Sequence, residues 1–284
     1  MKAIIFFVIS LVIVQGYSQE EDLLNSLESE ILEEPEYIVP AFKAMKIGNL
    51  QSTKVAKKKD IYMYVSHRFG TLKDGVSTFF GLDNANTKIQ MIYGVSNHIQ
   101  IGLSRESLRK TYAGSLKLKH LEQGSNGGVN ISSYFTVNIN TLLSKQQYPL
   151  MKYWDRYSYT SQLLISKKFT KKLSLEIAPS YVRQNLVLEP FQKHEQFVTG
   201  IGGRYKLSNR VSLNMEYALN FSRAEQSVYN DPFTVGIDLE TGGHVFQLLF
   251  SNAQSTNEPG FLSNAEGSWA KGDIFFGFNI VRTF

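Results

Sequence analysis

The sequence predicts an all-β protein, a transmembrane antiparallel up-and-down β-barrel of about twelve strands that follows a cleaved signal peptide. Three observations carry that expectation. The chain ends on an alternating strand whose last residue is aromatic, alternating segments recur from residue 61 onward, and the gaps between them are short and long in turn.

At the amino terminus, Lys2 precedes an apolar run from Ile4 to Val14, and Gly16-Tyr17-Ser18 places small residues at the two positions a signal peptidase reads. The run is too short to span a bilayer, so residues 1–18 read as a signal peptide cut after Ser18. The absence of cysteine excludes a lipid-anchor cysteine, a disulfide and a thiolate metal site.

Residues 19–58 then read as a periplasmic acidic segment ahead of a barrel over 59–284. From Glu20 to Glu36 there are eight acidic residues and no basic one. Leu23, Leu24, Leu27, Ile31 and Leu32 fall close to one helical face before Pro35 stops it. Two readings stay open: a short helix that packs on a partner or plugs the lumen, and a solvated tail. Ala41 to Asn49 is a candidate further strand, either periplasmic or paired with an element not found, since single-chain bacterial barrels avoid thirteen strands.

The strands follow from a period of two. Val211, Leu213, Met215, Tyr217, Leu219 and Phe221 interleave with Ser212, Asn214, Glu216, Ala218 and Asn220, and the stretch from Val129 to Ile139 behaves alike. Similar segments are expected over 61–69, 87–95, 98–104, 110–119, 156–169, 172–184, 194–206, 233–240, 244–252 and 272–284. After Val95, Phe169, Lys206 and Glu240 the turns are tight, whereas Gly70 to Asn86, Thr141 to Asp155, Asn185 to Lys193, Ala224 to Pro232 and Ala253 to Lys271 are longer. Short turns at one end and long loops at the other are the periplasmic and extracellular ends of an outer-membrane barrel, with both termini periplasmic.

In the last strand Phe276, Phe278, Ile280 and Phe284 share one face, while Gly277, Asn279 and Thr283 share the other. That ending is similar to the assembly signal of outer-membrane barrels, with Arg282 as a charge that must snorkel from the apolar row. Ser66 to Gly70, Phe80 to Ala85, Lys110 to Tyr112, Glu240 to Leu248 and Gly272 to Phe284 together resemble one family, a Bacteroidota outer-membrane β-barrel family whose function is unassigned. The resemblance implies the barrel and the outer membrane and implies no activity.

Net charge is +5, but from Tyr37 onward 29 basic residues stand against 17 acidic ones, a balance of +12. These charges are scattered through alternating strands without a basic helix, so nucleic acid is not an expected partner. Outer-membrane lipid, the barrel-assembly machinery and small anionic solutes are. Arg68, Lys88, Lys117, Lys119, Glu176, Arg204 and Glu216 fall in polar rows, with Tyr62, Tyr64 and Asp238, and are expected to line the lumen with a basic excess.

Two functions stay open on this pattern: a narrow pore for small anionic solutes, and a closed structural or partner-binding barrel without transport. Eight strands are filled by side chains and sixteen leave an aqueous channel; twelve lies between. A third reading, a lipid hydrolase built on Ser66, His67 and Asp83, lacks a recognisable nucleophile signature, so no enzyme activity is expected. No phosphate loop or paired-histidine spacing calls for a cofactor or metal. Gly200, Gly202 and Gly203 lie within a strand, where close backbone approach or a bend explains them better. Tyr148, Tyr153, Trp154, Tyr157 and Tyr159 read as an interfacial girdle, with a sugar platform as the alternative.

Overall fold

The computed structural model describes residues 40–124, 127–241 and 244–284. The expected signal peptide and the acidic helix or tail lie outside them. Twelve strands are described: β1 (Ile61–Thr71), β2 (Ala85–Ser96), β3 (Ile99–Glu106), β4 (Thr111–Leu121), β5 (Asn130–Asn140), β6 (Tyr157–Lys168), β7 (Leu173–Gln184), β8 (Glu195–Lys206), β9 (Val211–Asn220), β10 (Phe233–Thr241), β11 (His244–Ser251) and β12 (Phe275–Thr283). Each pairs antiparallel with its neighbours in the chain, and β12 closes on β1 through Tyr64↔Val281 and Ser66↔Asn279. The expected fold class is the observed one.

The period of two sorts every strand into two environments. On β2, Asn86, Lys88, Gln90 and Ile92 are buried, while Ile89, Met91, Tyr93 and Val95 are 41–49 % exposed. An exposed row of that kind is costly in water and favourable against acyl chains, so the outward rows form the lipid belt. Phe276, Phe278 and Ile280 lie in the outward row of β12 beside exposed Phe284. The even strand count returns both ends of the wall to the end where the tight turns lie, called here the short-turn end.

The inside is not the wet lumen that alternation suggests. Residues 40–58 belong to the barrel's compact unit, which corrects the boundary expected at residue 58. They form neither a further strand nor a separate periplasmic segment. Ala41, Phe42, Met45, Ile47, Leu50, Val55 and Ala56 are all buried. The chain enters from the short-turn end, reverses at 47–50 through Ile47 N to Leu50 O (2.9 Å) and Ser52 N to Met45 O (2.9 Å), and leaves by the same end. Lys58 N there donates to Asn97 Oδ1 at 3.0 Å.

A second insertion comes from the other end, where the β11–β12 loop folds inward. Its helix α1 (Glu258–Ser263) is buried at every residue and packs against β6, β7, β8 and β9. Asn257 caps it by accepting from Gly260 N at 2.9 Å, and Pro259 suits the first turn, where no amide partner is needed. Leu50 from the hairpin, Phe261 and Leu262 from α1, and the inward wall residues Val182, Val198 and Ala218 share one apolar cluster. Such burial contributes about 1.5–3 kcal/mol for each large side chain.

Two strand glycines make this possible. A Cβ on Gly202 would sit 2.4 Å from Ile47 Cδ1, and one on Gly200 would sit 2.8 Å from Leu50 Cδ2. The close approach expected of these glycines is therefore to the protein's own hairpin.

Candidate functional site

Several charged residues of the inward rows, among them Arg68, Lys88, Lys117, Glu176 and Glu216, are engaged by the two insertions. Glu216 on β9 accepts three consecutive hairpin amides, from Gly48 (3.0 Å), Asn49 (2.7 Å) and Leu50 (2.9 Å). A turn that aims successive N–H groups at one carboxylate is an anion nest, and the charge makes each bond stronger than a neutral one. Lys117 on β4 donates to the carbonyls of Ser52 (2.9 Å), Lys54 (3.3 Å) and Met45 (3.4 Å). Glu176 on β7 accepts from Thr53 N at 3.0 Å. Asn214, Gln247 and Asn279 donate to the carbonyls of Ile47 (3.2 Å), Ile47 (2.9 Å) and Gly48 (2.9 Å). The wall thus supplies the partners that a buried irregular backbone requires.

Arg68 on β1 donates to Asn49 Oδ1 (2.8 Å) and Asn279 Oδ1 (3.1 Å), and also to the carbonyls of His67 and Phe278. Its hydrogen bonds all go to amide and carbonyl oxygens. Lys88 on β2 serves the opposite insertion, with Thr256 O at 3.3 Å and Glu258 at 3.9 Å. Arg204 pairs with Glu240, which also meets Lys43 at 2.7 Å, and Lys119 pairs with Glu122 near the short-turn end.

Glu106, the last residue of β3, was missed by sequence reasoning because the strand was expected to stop at Ser104. It accepts from Thr256 N (2.6 Å), Thr256 Oγ1 (3.0 Å), Asn86 Nδ2 (2.6 Å) and Asn257 Nδ2, and so pins the inward loop. Gln51 and Glu258 were missed as well. The Asn257-Glu258-Pro259-Gly260 run, a cap followed by proline, is the signal that could have marked a helix there.

The +12 excess is not in the lumen. Among buried residues, five bases (Lys46, Arg68, Lys88, Lys117 and Arg204) face six acids (Glu106, Glu176, Glu216, Asp238, Glu240 and Glu258). This corrects the basic lumen. The long-loop end carries eleven bases and nine acids. Among the described residues, the short-turn end has thirteen bases against two acids, Asp60 and Glu122. These bases are Lys43, Lys54, Lys57, Lys58, Lys59, Lys119, Lys167, Lys168, Lys171, Lys172, Lys206, Arg210 and Arg282. Burial holds Lys54 down to about 8, with Glu240 opposing and Lys57 and Lys43 adding. Deeper on the hairpin, burial and then the charge of Lys88 push Lys46 down to about 7.

Adjacent strand residues point to opposite faces, so Ser66 is buried inside while His67 lies outward, stacked on Phe278 at 5.1 Å and bonded to Thr87 Oγ1 at 2.9 Å. Ser66, His67 and Asp83 do not assemble into a nucleophilic site. No metal-binding group occurs among the described residues. At the long-loop mouth a cleft of about 220 Å³ lies over α1, lined among others by Arg109, Arg156, Gln184, Tyr229 and Asn264. Tyr153, Trp154, Tyr157 and Tyr159 form a chain of rings 5.4–6.5 Å apart at the same end.

A closed twelve-strand sheet with an apolar outside and a polar-rowed inside defines an outer-membrane β-barrel. Residues 42–284 match the family described as a membrane-bound β-barrel domain (DUF5777), and the chain belongs to that family. No curated protein sequence matches it. Solved structures of similar fold include the KdgM porin (TM-score 0.46, 7 % identity, covering 79 % of this chain and 98 % of that one). Omp33 of Acinetobacter baumannii is similar (0.44, 8 %, 80 % and 99 %), as is the outer membrane phospholipase A of Escherichia coli (0.43, 10 %, 89 % and 93 %).

Proposed function

We propose that this protein is a closed outer-membrane barrel, sealed by its own chain, whose contacts with other molecules are made at its two ends. The observation that carries this reading is the nest of Gly48, Asn49 and Leu50 on Glu216, deep in the barrel. A lumen crossed by backbone whose polar groups are bonded to the wall leaves no continuous water path. The short turns and both termini face the periplasm in this reading, and the cleft over α1 opens outward. Insertion depends on the barrel-assembly machinery reading the β12 ending. In planar bilayers the intact protein is expected to give no steady conductance; a stable open channel overturns the reading.

One observation favours a conditional pore. Both legs of the hairpin lie at the short-turn end, with Lys43 against Glu240 and Lys58 against Asn97, so it can withdraw without threading through the wall. A small-solute pore then exists only with the hairpin out. Because buried acids and bases nearly balance, such a pore is expected to discriminate weakly between anions and cations.

A further inference from the structure

We propose that the short-turn rim is a binding surface for the phosphate headgroups of anionic phospholipids in the leaflet that it borders. The inference goes beyond the closed-barrel reading, since it holds whether or not the lumen conducts.

Three features of the rim converge on a charged lipid surface. Among the described residues its charge is lopsided: thirteen bases and two acids, where the opposite rim has eleven and nine. Among the described residues the rim acids are few and engaged: Glu122 is held by Lys119, and the buried Glu240 is shared by Lys43 and Arg204. A solvated charge run would carry no preferred position, yet these bases sit at the edge of the lipid belt. Arg282 stacks over the Phe284 ring at 4.8 Å and Lys167 lies over the Phe169 ring at 5.5 Å, and both rings are more than half exposed. Long basic side chains laid along lipid-facing aromatics deliver their cationic heads to the depth of the headgroups.

The remaining bases extend the same level into the aqueous edge. Lys171 and Lys172 occupy the exposed β6–β7 turn, and Lys58 and Lys59 the exposed exit of the hairpin. Around a barrel these positions form a ring parallel to the bilayer plane rather than a groove. A planar array of phosphates matches a ring; a single soluble anion engages only one arc of it. The headgroups of an anionic leaflet supply that array at no distance from the protein, and each base near such a surface adds attraction that salt screens.

The test uses the full chain in nanodiscs of phosphatidylcholine with phosphatidylglycerol, reading by native mass spectrometry which lipid remains bound. About fivefold enrichment of phosphatidylglycerol is expected for roughly one base engaged per lipid, falling with added salt. The quadruple variant K58E/K59E/K171E/K172E changes exposed turn positions outside the strands and is expected to lose the enrichment. The control K145E/K152E/K193E/K271E makes the same charge change at the long-loop end and is expected to keep it. Equal retention of the two lipids, or loss of enrichment in the control and not in the rim variant, overturns the proposal. So does salt-sensitive capture of inorganic polyphosphate in discs of phosphatidylcholine alone without phosphatidylglycerol enrichment, which would make the rim a site for soluble anions.

Discussion

Gln51 Nε2 donates to Glu258 Oε1 at 2.9 Å, and at that bond an insertion from one end of the barrel meets an insertion from the other. Beside it Leu50 shares an apolar cluster with Phe261 and Leu262. In the proposed closed barrel the seal is therefore made by two pieces of chain that touch each other, and each can be loosened separately.

Glu216→Ala removes the acceptor of three hairpin amides and is expected to lower stability by about 3 kcal/mol, because buried donors lose a charged partner. Glu216→Gln keeps one carbonyl acceptor and is expected to lose less. Denaturant titration of the folded band on gels reads both, and equal, negligible shifts would mean that the nest does not hold the hairpin.

Gly202→Val puts a branched side chain where Ile47 Cδ1 lies 2.4 Å from the added Cβ. Valine suits a strand, so the wall is expected to assemble while the hairpin is displaced. Conductance should appear in this variant and in a chain lacking residues 40–58. Silent bilayers with both variants, each shown to be inserted, would place the seal in α1 alone.

The hairpin also carries a pH dependence. Lys46 lies on the insertion rather than on a spanning strand, and its value falls from 10.5 in the unfolded chain to about 7 when buried. Between these values the unfolded chain holds a proton that the folded one does not, so stability rises with pH across the window and is lowest below about 7, where the buried ammonium is charged. Limited proteolysis of the hairpin should quicken on acidification, and Lys46→Met should flatten the response. Cleavage rates independent of pH in the parent protein would contradict this.

Replacing Phe284 by Ser, or removing it, is expected to reduce the heat-modifiable inserted species while export continues. The effect is partial if Phe276 and Phe278, in the same outward row, sustain recognition. Unchanged insertion would show that the terminal aromatic is dispensable.

The wall was legible in the sequence because each strand has two unlike faces, and Ile89 and Met91 alternating with Lys88 and Gln90 betray both. The hairpin was not, for the same reason inverted. Ala41, Phe42, Ala44, Met45, Ile47 and Leu50 are enclosed on all sides, and a segment without an exposed face has no period to read. The inward rows of Lys117, Glu176 and Glu216 could be named from alternation, but the carbonyls and amides they meet come from residues 63 to 168 positions away. Net charge misled because it has no address: the bases that raise it cluster at turns and strand ends, beyond the rows that face inward.

The way the hairpin enters also bears on the order of assembly. Since its two legs share one opening, the topology does not require the hairpin to seat before the seam between β1 and β12 closes. The loop carrying α1 has no such freedom, because β11 and β12 tether both its ends. Topology therefore leaves the amino-terminal part of the barrel unit, first out of the ribosome, free to be the last to find its place.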